Sequence, residues 1–235
     1  MKESMYVIKY GEISLKGRNR PQFEAALVAN IKQKLNGLTI RIERKNGRIY
    51  LFCEPGHEAH IERGLGTVFG IVAFGRARAA EKEPAALFQV AAELAGEALS
   101  GRDGLRFKIE ARRTDKSFSL TSYQIACETA DALIARFPTL TVDVHHPEWT
   151  LSVEIREKAY LYGNLTRGLG GLPVGCNGRG LLLLSGGIDS PVAGFLMAKR
   201  GLAVDAVYFH THPFTSPEVK QKVIDIAEIL RRYIP

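Results

Sequence analysis

The chain has 235 residues, with 32 Lys and Arg against 25 Asp and Glu, a formal net charge of +7 and a hydrophobic fraction of 46%. That composition excludes an intrinsically disordered chain, and no run approaches the roughly 18–20 apolar residues of a membrane span. The basic excess fits a polyanionic partner as well as an ordinary solvated surface.

In chain order, "MYVIKY" reads as a strand. Asn19 and Pro21 mark a helix start, and Phe23, Leu27, Ile31 and Leu35 then recur every four residues along one helical face. "TIRIERK" and "RIYLFC" flank Asn46-Gly47, a hairpin signal because both residues tolerate positive φ. "EAHIERGL" reads as a helix and "GIVAFGRARA" as a strand, giving the β-α-β-β-α-β order of a ferredoxin-like unit over residues 1–80. From residue 81 to 168 a second α/β unit follows. "PAALFQVAAELAGEALS" is a helix, "LRFKIEARRTDKSF" a strand running into a basic segment, and "SYQIACETADALIARF" a helix ended by Pro138. "LTVDVHH", "TLSVEIRE" and "AYLYGNL" are three strands. Residues 169–180 are glycine-rich without periodicity and read as a linker. Residues 181–235 then alternate strand and helix, as a parallel sheet does. The expected fold is therefore an α+β N-terminal half followed by the start of an α/β parallel-sheet domain.

That last segment opens on "LLLLSGGIDSPVAGFLMAKRG". In "SGGIDS", Gly186 and Gly187 let the backbone turn tightly and approach an anion with no Cβ in the way. Free N–H groups of the turn and the following helix N-terminus would face that anion, and Ser185 and Ser190 would add hydroxyls. Asp189 would repel a phosphate unless it caps the helix or holds a metal ion on the phosphate. The motif therefore suits a Mg-nucleotide, with capping as the alternative role for Asp189. It is not the GxxxxGK[ST] loop, for it has no lysine at the required place.

Ser-Gly-Gly-x-Asp-Ser after four leucines resembles the PP-loop of the ATP pyrophosphatase superfamily. "GGLPVGCNGRGLLLLSGGIDSPVAGFLMAKRG", "VYFHTHPFTSPEVKQKV", "YGEISLKGRNRPQFE" and "EARRTDKSFSLTSYQI" together resemble the tRNA 4-thiouridine synthetase (tRNA sulfurtransferase) family over essentially the whole chain. The resemblance implies a ferredoxin-like domain, a THUMP RNA-binding domain and a PP-loop domain. It also implies ATP- and Mg2+-dependent replacement of a uridine 4-oxygen by sulfur near the tRNA acceptor stem, and often a sulfur relay for thiamine thiazole synthesis. In such a family ATP adenylates the oxygen, and a persulfide-bearing cysteine delivers sulfur that started on a cysteine desulfurase. Carried over residue by residue, phosphate contacts fall on Ser185, Gly186, Gly187, Asp189 and Ser190. The adenine and ribose side falls on Leu183, Leu184, Tyr208 and Phe209, with Leu183 and Leu184 expected to be buried core as well. The family often has histidine where Tyr208 stands.

Lys108, Arg112, Arg113 and Lys116 cluster where a strand meets a loop. They read either as a solvated strand edge or as phosphate contacts, and the THUMP resemblance favours RNA. Lys16, Arg18 and Arg20, and then Arg76 and Arg78, are weaker basic patches. His210 and His212 have no third ligand in sight and read as surface or substrate-side residues.

Three cysteines, Cys53, Cys127 and Cys176, are too scattered for a disulfide framework or a zinc site. Cys53 and Cys127 read as buried thiols and Cys176 as accessible. None matches the family's sulfur-carrying cysteine, so the catalytic residue is unassigned. A PP-loop domain needs about five parallel strands, and two are present, so the expectation is a C-terminally truncated chain, inactive alone. "MKESMYVIKYGEISLKG" lacks a signal-peptide core, which points to the cytoplasm. A homodimer is compatible with the sequence but not written in it. The alternatives are a non-catalytic tRNA-binding fragment and another PP-loop ATP-dependent ligase.

Overall fold

Strand β1 (Ser4–Tyr10) opens the chain, and its β-branched and aromatic residues Tyr6, Val7 and Ile8 are fully or almost fully buried. The computed structural model of the chain describes residues 3–45, 47–211 and 213–234. Helix α1 (Arg20–Lys34) starts with Pro21 in its first turn and buries Leu27 and Ile31, with Leu35 just past its end. Strands β2 (Ile40–Lys45) and β3 (Arg48–Cys53) pair antiparallel from Ile40↔Cys53 to Lys45↔Arg48. Gly47 in the intervening turn has φ +79°, a region open to glycine at little cost; Asn46 lies outside the described residues. Helix α2 (Glu58–Leu65) and strand β4 (Ile71–Ala80) complete this part. The sheet order β2-β3-β1-β4 is that of a ferredoxin-like fold, as the element order predicts.

The chain divides into two compact units, one of Ile8–Phe74 with Thr166–Pro235, the other of Gly75–Leu165 with Ser4–Val7. In the second, helices α3 (Pro84–Leu99) and α4 (Ser122–Arg136) accompany strands β5 (Leu105–Arg113), β6 (Leu140–Val142), β7 (Trp149–Ile155) and β8 (Ala159–Tyr162). β5 pairs parallel with β6 and β7, and β7 antiparallel with β8, which pairs with Ala77–Ala80 of β4. Leu87, Phe107, Ile125, Leu151, Val153 and Leu161 are fully buried in one core. A capping box fixes the start of α4: Gln124 N donates to Thr121 Oγ1 at 3.2 Å and Thr121 N to Gln124 Oε1 at 2.9 Å. The strand expected over "LTVDVHH" stops at Val142, because the Asp143 carboxylate accepts the N–H groups of His145 and His146 and turns the chain.

In the first unit, β9 (Thr166–Arg167) pairs with Ala73 and Phe74 of β4. Residues 169–180, read as a linker, are packed: Leu172 and Val174 are buried. Leu172 N donates to Lys199 O at 2.9 Å, and Gly70 N to Gly170 O at 2.8 Å. A Cβ on Gly171, at φ +77°, would stand 2.3 Å from Lys199 O, so this glycine serves close backbone approach rather than flexibility. The unit ends with β10 (Arg179–Leu183), α5 (Asp189–Lys199), β11 (Ala203–Val207) and α6 (Pro217–Leu230). β10 and β11 pair parallel from Arg179↔Ala203 to Leu183↔Val207.

The four leucines of 181–184 do not share one fate. Leu184 is buried, but Leu181 is 68% and Leu183 61% exposed. Alternation along a strand sends Leu182 and Leu184 to one face. There Leu182 meets Gly194 of α5, and Leu184 lines a cavity of about 140 Å³ with Ala227 and Leu230 of α6. Leu181 and Leu183 point to the other face, where Arg179 and Asp205 form an exposed ion pair at 2.9 Å. The expectation that Leu183 is core is therefore corrected: one face of the strand pair is covered and Leu183 lies on the other.

Candidate nucleotide loop and basic surface

The loop Ser185–Ser190 begins where β10 ends. Leu184 N donates to Val207 O at 2.9 Å, which aligns the carboxyl ends of the two parallel strands beside the loop. In open α/β sheets this end is where the backbone leaves a crevice for ligands. Ser185 N donates to Ser190 Oγ at 3.0 Å, the two hydroxyls lie 3.0 Å apart, and Gly187 N reaches Ser185 Oγ at 3.3 Å. These contacts close the loop on itself. Among the described residues, the N–H groups of Gly186, Ile188, Asp189 and Ser190 meet no protein acceptor. They form a run of donors at a helix N-terminus, the geometry that receives a phosphate.

Asp189 is exposed and is the first residue of α5, whose N-cap is Ile188 without any side-chain cap. Of the two roles open to Asp189 in the sequence, capping is thus not the one it plays. Among the described residues its carboxylate has no partner, and no group of three or more His, Cys, Asp or Glu is placed to hold a metal ion. A single free carboxylate beside a phosphate loop fits Mg2+, which usually keeps several waters and takes one or two carboxylates plus phosphate oxygens. Tyr208 and Phe209 follow β11 directly, next to Leu183 and Leu184 by register. Tyr208 is half-buried with its ring 6.1 Å from that of His210, and Phe209 is 75% exposed. His212 lies outside the described residues.

The basic cluster on β5 divides when its side chains are followed. Residues 105, 107, 109, 111 and 113 share the core-side face, and 106, 108, 110 and 112 the outer one. Lys108 pairs with Glu110 at 2.7 Å, and Arg106 with Glu148 at 3.2 Å. Arg113 turns inward and donates to the carbonyls of Phe118 at 3.0 Å and Leu120 at 3.2 Å. It pins the loop between β5 and α4. Asp115 pins the same loop from outside, accepting from Lys82 at 2.5 Å and from Ser117 N at 2.9 Å. The Lys82 contact first, and then the Ser117 hydroxyl and N–H, hold its carboxyl well below the usual carboxylate range. Arg112 and Lys116 remain exposed and without a partner among the described residues.

The weaker patches are mostly neutralised. Arg20 pairs with Glu24 at 2.8 Å and Arg78 with Glu93 and Glu97, while Lys16 lies over the Phe23 ring. Of the cysteines, Cys53 is buried as expected, but Cys127 is only half-buried, on a helix whose inward face is Ile125, Thr129 and Leu133. Cys176 is half-buried rather than open, and burial pushes its thiol up, away from the reactive thiolate.

Residues 5–75 match the ThiI ferredoxin-like domain, 81–163 the THUMP domain and 175–235 the domain described as thiamine biosynthesis protein (ThiI). A ferredoxin-like part, a THUMP part and a PP-loop part in this order define a THUMP-containing PP-loop protein. A probable tRNA sulfurtransferase of Caldanaerobacter subterraneus subsp. tengcongensis is 44% identical over 98% of this chain and 60% of its own length. One of Treponema pallidum is 45% identical over 98% of this chain and 58% of its own. A crystal structure of a 4-thiouridine synthetase–RNA complex with bound ATP superposes with TM-score 0.86 at 33% identity, covering 99% of this chain and 59% of that one. These matches give the chain the ThiI ferredoxin-like, THUMP and ThiI domains in that order, and it spans about 60% of the length of the curated relatives it matches.

Proposed function

We propose that the protein makes 4-thiouridine in tRNA, with ATP held on Ser185–Ser190 and RNA held by the THUMP part. The observation that carries this reading is the run of unpaired N–H donors and the unpartnered Asp189 at the carboxyl ends of β10 and β11, in a chain with these relatives. In the proposed reaction the uridine 4-oxygen attacks the α-phosphate of ATP and releases pyrophosphate. The terminal sulfur of a cysteine persulfide then displaces AMP at carbon 4, and a second thiol cleaves the S–S bond, leaving the thiocarbonyl on uridine and a disulfide on the thiols. The chain's own residues supply the binding. The N–H groups of Gly186, Ile188, Asp189 and Ser190 donate to phosphate oxygens, and the hydroxyls of Ser185 and Ser190 fix the loop's shape. Asp189 would hold Mg2+ against the phosphates. Leu183, Leu184, Tyr208 and Phe209 would form the adenosine side, through backbone at Leu184 and through exposed ring or side-chain surface at Phe209 and Leu183. Arg112 and Lys116 are the cations free to meet RNA phosphate, with Lys108 available once it leaves Glu110. Arg113 contributes by shaping the loop.

The sulfur would come from a cysteine desulfurase, and the same relay would serve thiamine thiazole synthesis. The reaction belongs in the cytoplasm, where tRNA and ATP meet, and no helix among the described residues is long and apolar enough to cross a membrane.

The test is the 4-thiouridine content of tRNA from cells in which the gene carries Asp189→Ala, measured by nucleoside mass spectrometry. Loss of 4-thiouridine, with the protein still present at its normal level, is the expected result. Undiminished 4-thiouridine overturns the reading. Retained salt-dependent tRNA binding with unchanged 4-thiouridine would leave an RNA-binding module, and ATP turnover indifferent to tRNA would leave a small-molecule ligase.

A further inference from the structure

The loop's sequence lacks the lysine that a GxxxxGK[ST] loop places among its phosphates, yet a lysine stands beside it in the fold. Helix α6 packs Val219, Lys222 and Val223, three positions of one helical face, over Gly186. From the point where a Gly186 Cβ would project, Lys222 Cδ is 3.7 Å away, Val223 Cγ2 3.9 Å and Val219 Cγ1 4.0 Å. The apolar stem of Lys222 therefore lies along the loop backbone, and its ammonium group sits two bonds further on, in solvent.

No carboxylate claims that ammonium among the described residues. Glu218, one turn earlier on α6 and placed for an i,i+4 pair, instead takes the Ser216 side chain, a contact that lowers its carboxyl below the usual value. Asp225 accepts from Gln221 at 2.8 Å. Asp189, on the loop itself, is not bonded to Lys222 either. Among the described residues, Arg20, Arg78, Arg106 and Lys108 of the ferredoxin-like and THUMP parts are each paired with a carboxylate, whereas Lys222 is an unpaired lysine laid against a run of free N–H donors.

We propose that Lys222 is the cation of this loop: its ammonium contacts the phosphate chain of the nucleotide held at Ser185–Ser190. The inference rests on the nucleotide reading above. A Cβ at Gly186 would meet these three side chains at ordinary van der Waals distance, so α6 is already in packing contact with the loop.

The test follows the amide resonances of Gly186 and Gly187 while MgATP, and separately inorganic pyrophosphate, is titrated into the protein expressed from its whole gene. Both ligands should shift these amides. Lys222→Met, which keeps the stem, should weaken both by about tenfold, in keeping with loss of one charged hydrogen bond. Lys222→Arg should bind within about twofold of the parent, and Lys220→Met, an exposed lysine on another face of α6, should have no effect. Equal affinity in the parent and Lys222→Met overturns the assignment of Lys222 and leaves the nucleotide reading in place. Amides unmoved by either ligand in the parent chain overturn the nucleotide reading, and Lys222 with it.

Discussion

The THUMP sheet and the β10–β11 pair are built from similar apolar strands and treat them in opposite ways. In the THUMP part, Phe107 on β5, Leu151 and Val153 on β7 and Leu161 on β8 are fully buried, with α3 and α4 packed on the sheet. On β10, Leu182 and Leu184 meet helices while Leu181 and Leu183 face solvent. The contrast extends over the neighbouring helices, where Val192, Leu196 and Met197 of α5 and Ile224 and Ile229 of α6 are each 42–56% exposed. A parallel strand reads as continuously apolar because the architecture that uses it covers both faces. An apolar run therefore reports what a strand needs, and only the layers packed on it decide what each residue gets.

The largest expected effect breaks or keeps this contrast directly. Leu151→Ala should cost about 2–5 kcal/mol in denaturant unfolding, the range for emptying a packed core site. Leu183→Ala should stay within about 0.5 kcal/mol, as a surface substitution does. Similar losses at both positions would show that the outer face of β10 is covered in solution and that the two sheets do not differ in this way.

The same contrast holds for charge. On β5 the basic residues are mostly consumed by neighbours, whereas at the Ser185–Ser190 loop both Asp189 and the Lys222 of α6 are free of partners among the described residues. Within the β5 cluster this sorts residues that the sequence could only group. Arg112→Ala with Lys116→Ala should weaken tRNA binding by about tenfold at moderate salt and lower the slope of log K against log[salt] by roughly 1–2. Arg113→Ala should instead lose about 1–3 kcal/mol of stability as the Phe118 and Leu120 carbonyls lose their donor, with the salt slope nearly unchanged. Filter binding across a salt series and denaturant unfolding separate the two. A salt slope lowered as much by Arg113→Ala as by the double variant would restore the undivided cluster.

Much of this was legible from residue order. The periodicity of Leu27, Ile31 and Leu35 and the element sequence lead to the ferredoxin-like fold, and "SGGIDS" marks the loop. What was not legible depended on contacts between distant residues. Strand alternation could have placed Arg113 on the inner face, but only the fold shows it bound to the carbonyls of its own loop. Glycines at 170 and 171 look like a tether because the sequence does not show Lys199 O pressing against one of them. Lys222 lies outside the motif by more than a helix and a strand, and no local spacing could bring it to Gly186.

The smallest expected effect concerns how the THUMP loop is held in place while Arg112 and Lys116 stay free. Asp115 ties residues 114–121 to Lys82 and to Ser117, and those contacts depress its carboxyl. A carboxyl depressed on folding adds stability that is fully present above its unfolded value, about 4, and fades as pH falls through the lower folded value. The Ser117 amide should therefore keep its protection from hydrogen exchange, relative to other loop amides, from neutral pH down to about pH 4, and lose it only in more acidic solution. Asp115→Asn should remove that relative protection at every pH while leaving the buried amides of β5 and β7 unaffected, because the carboxylate is exposed and acts on the loop alone. With the loop loosened, Arg112 and Lys116 lose their fixed spacing, so tRNA affinity should fall by no more than about threefold with its salt slope intact, the number of phosphate contacts being unchanged. Protection that declines between pH 7 and 5 would mean that Asp115 does not govern the loop.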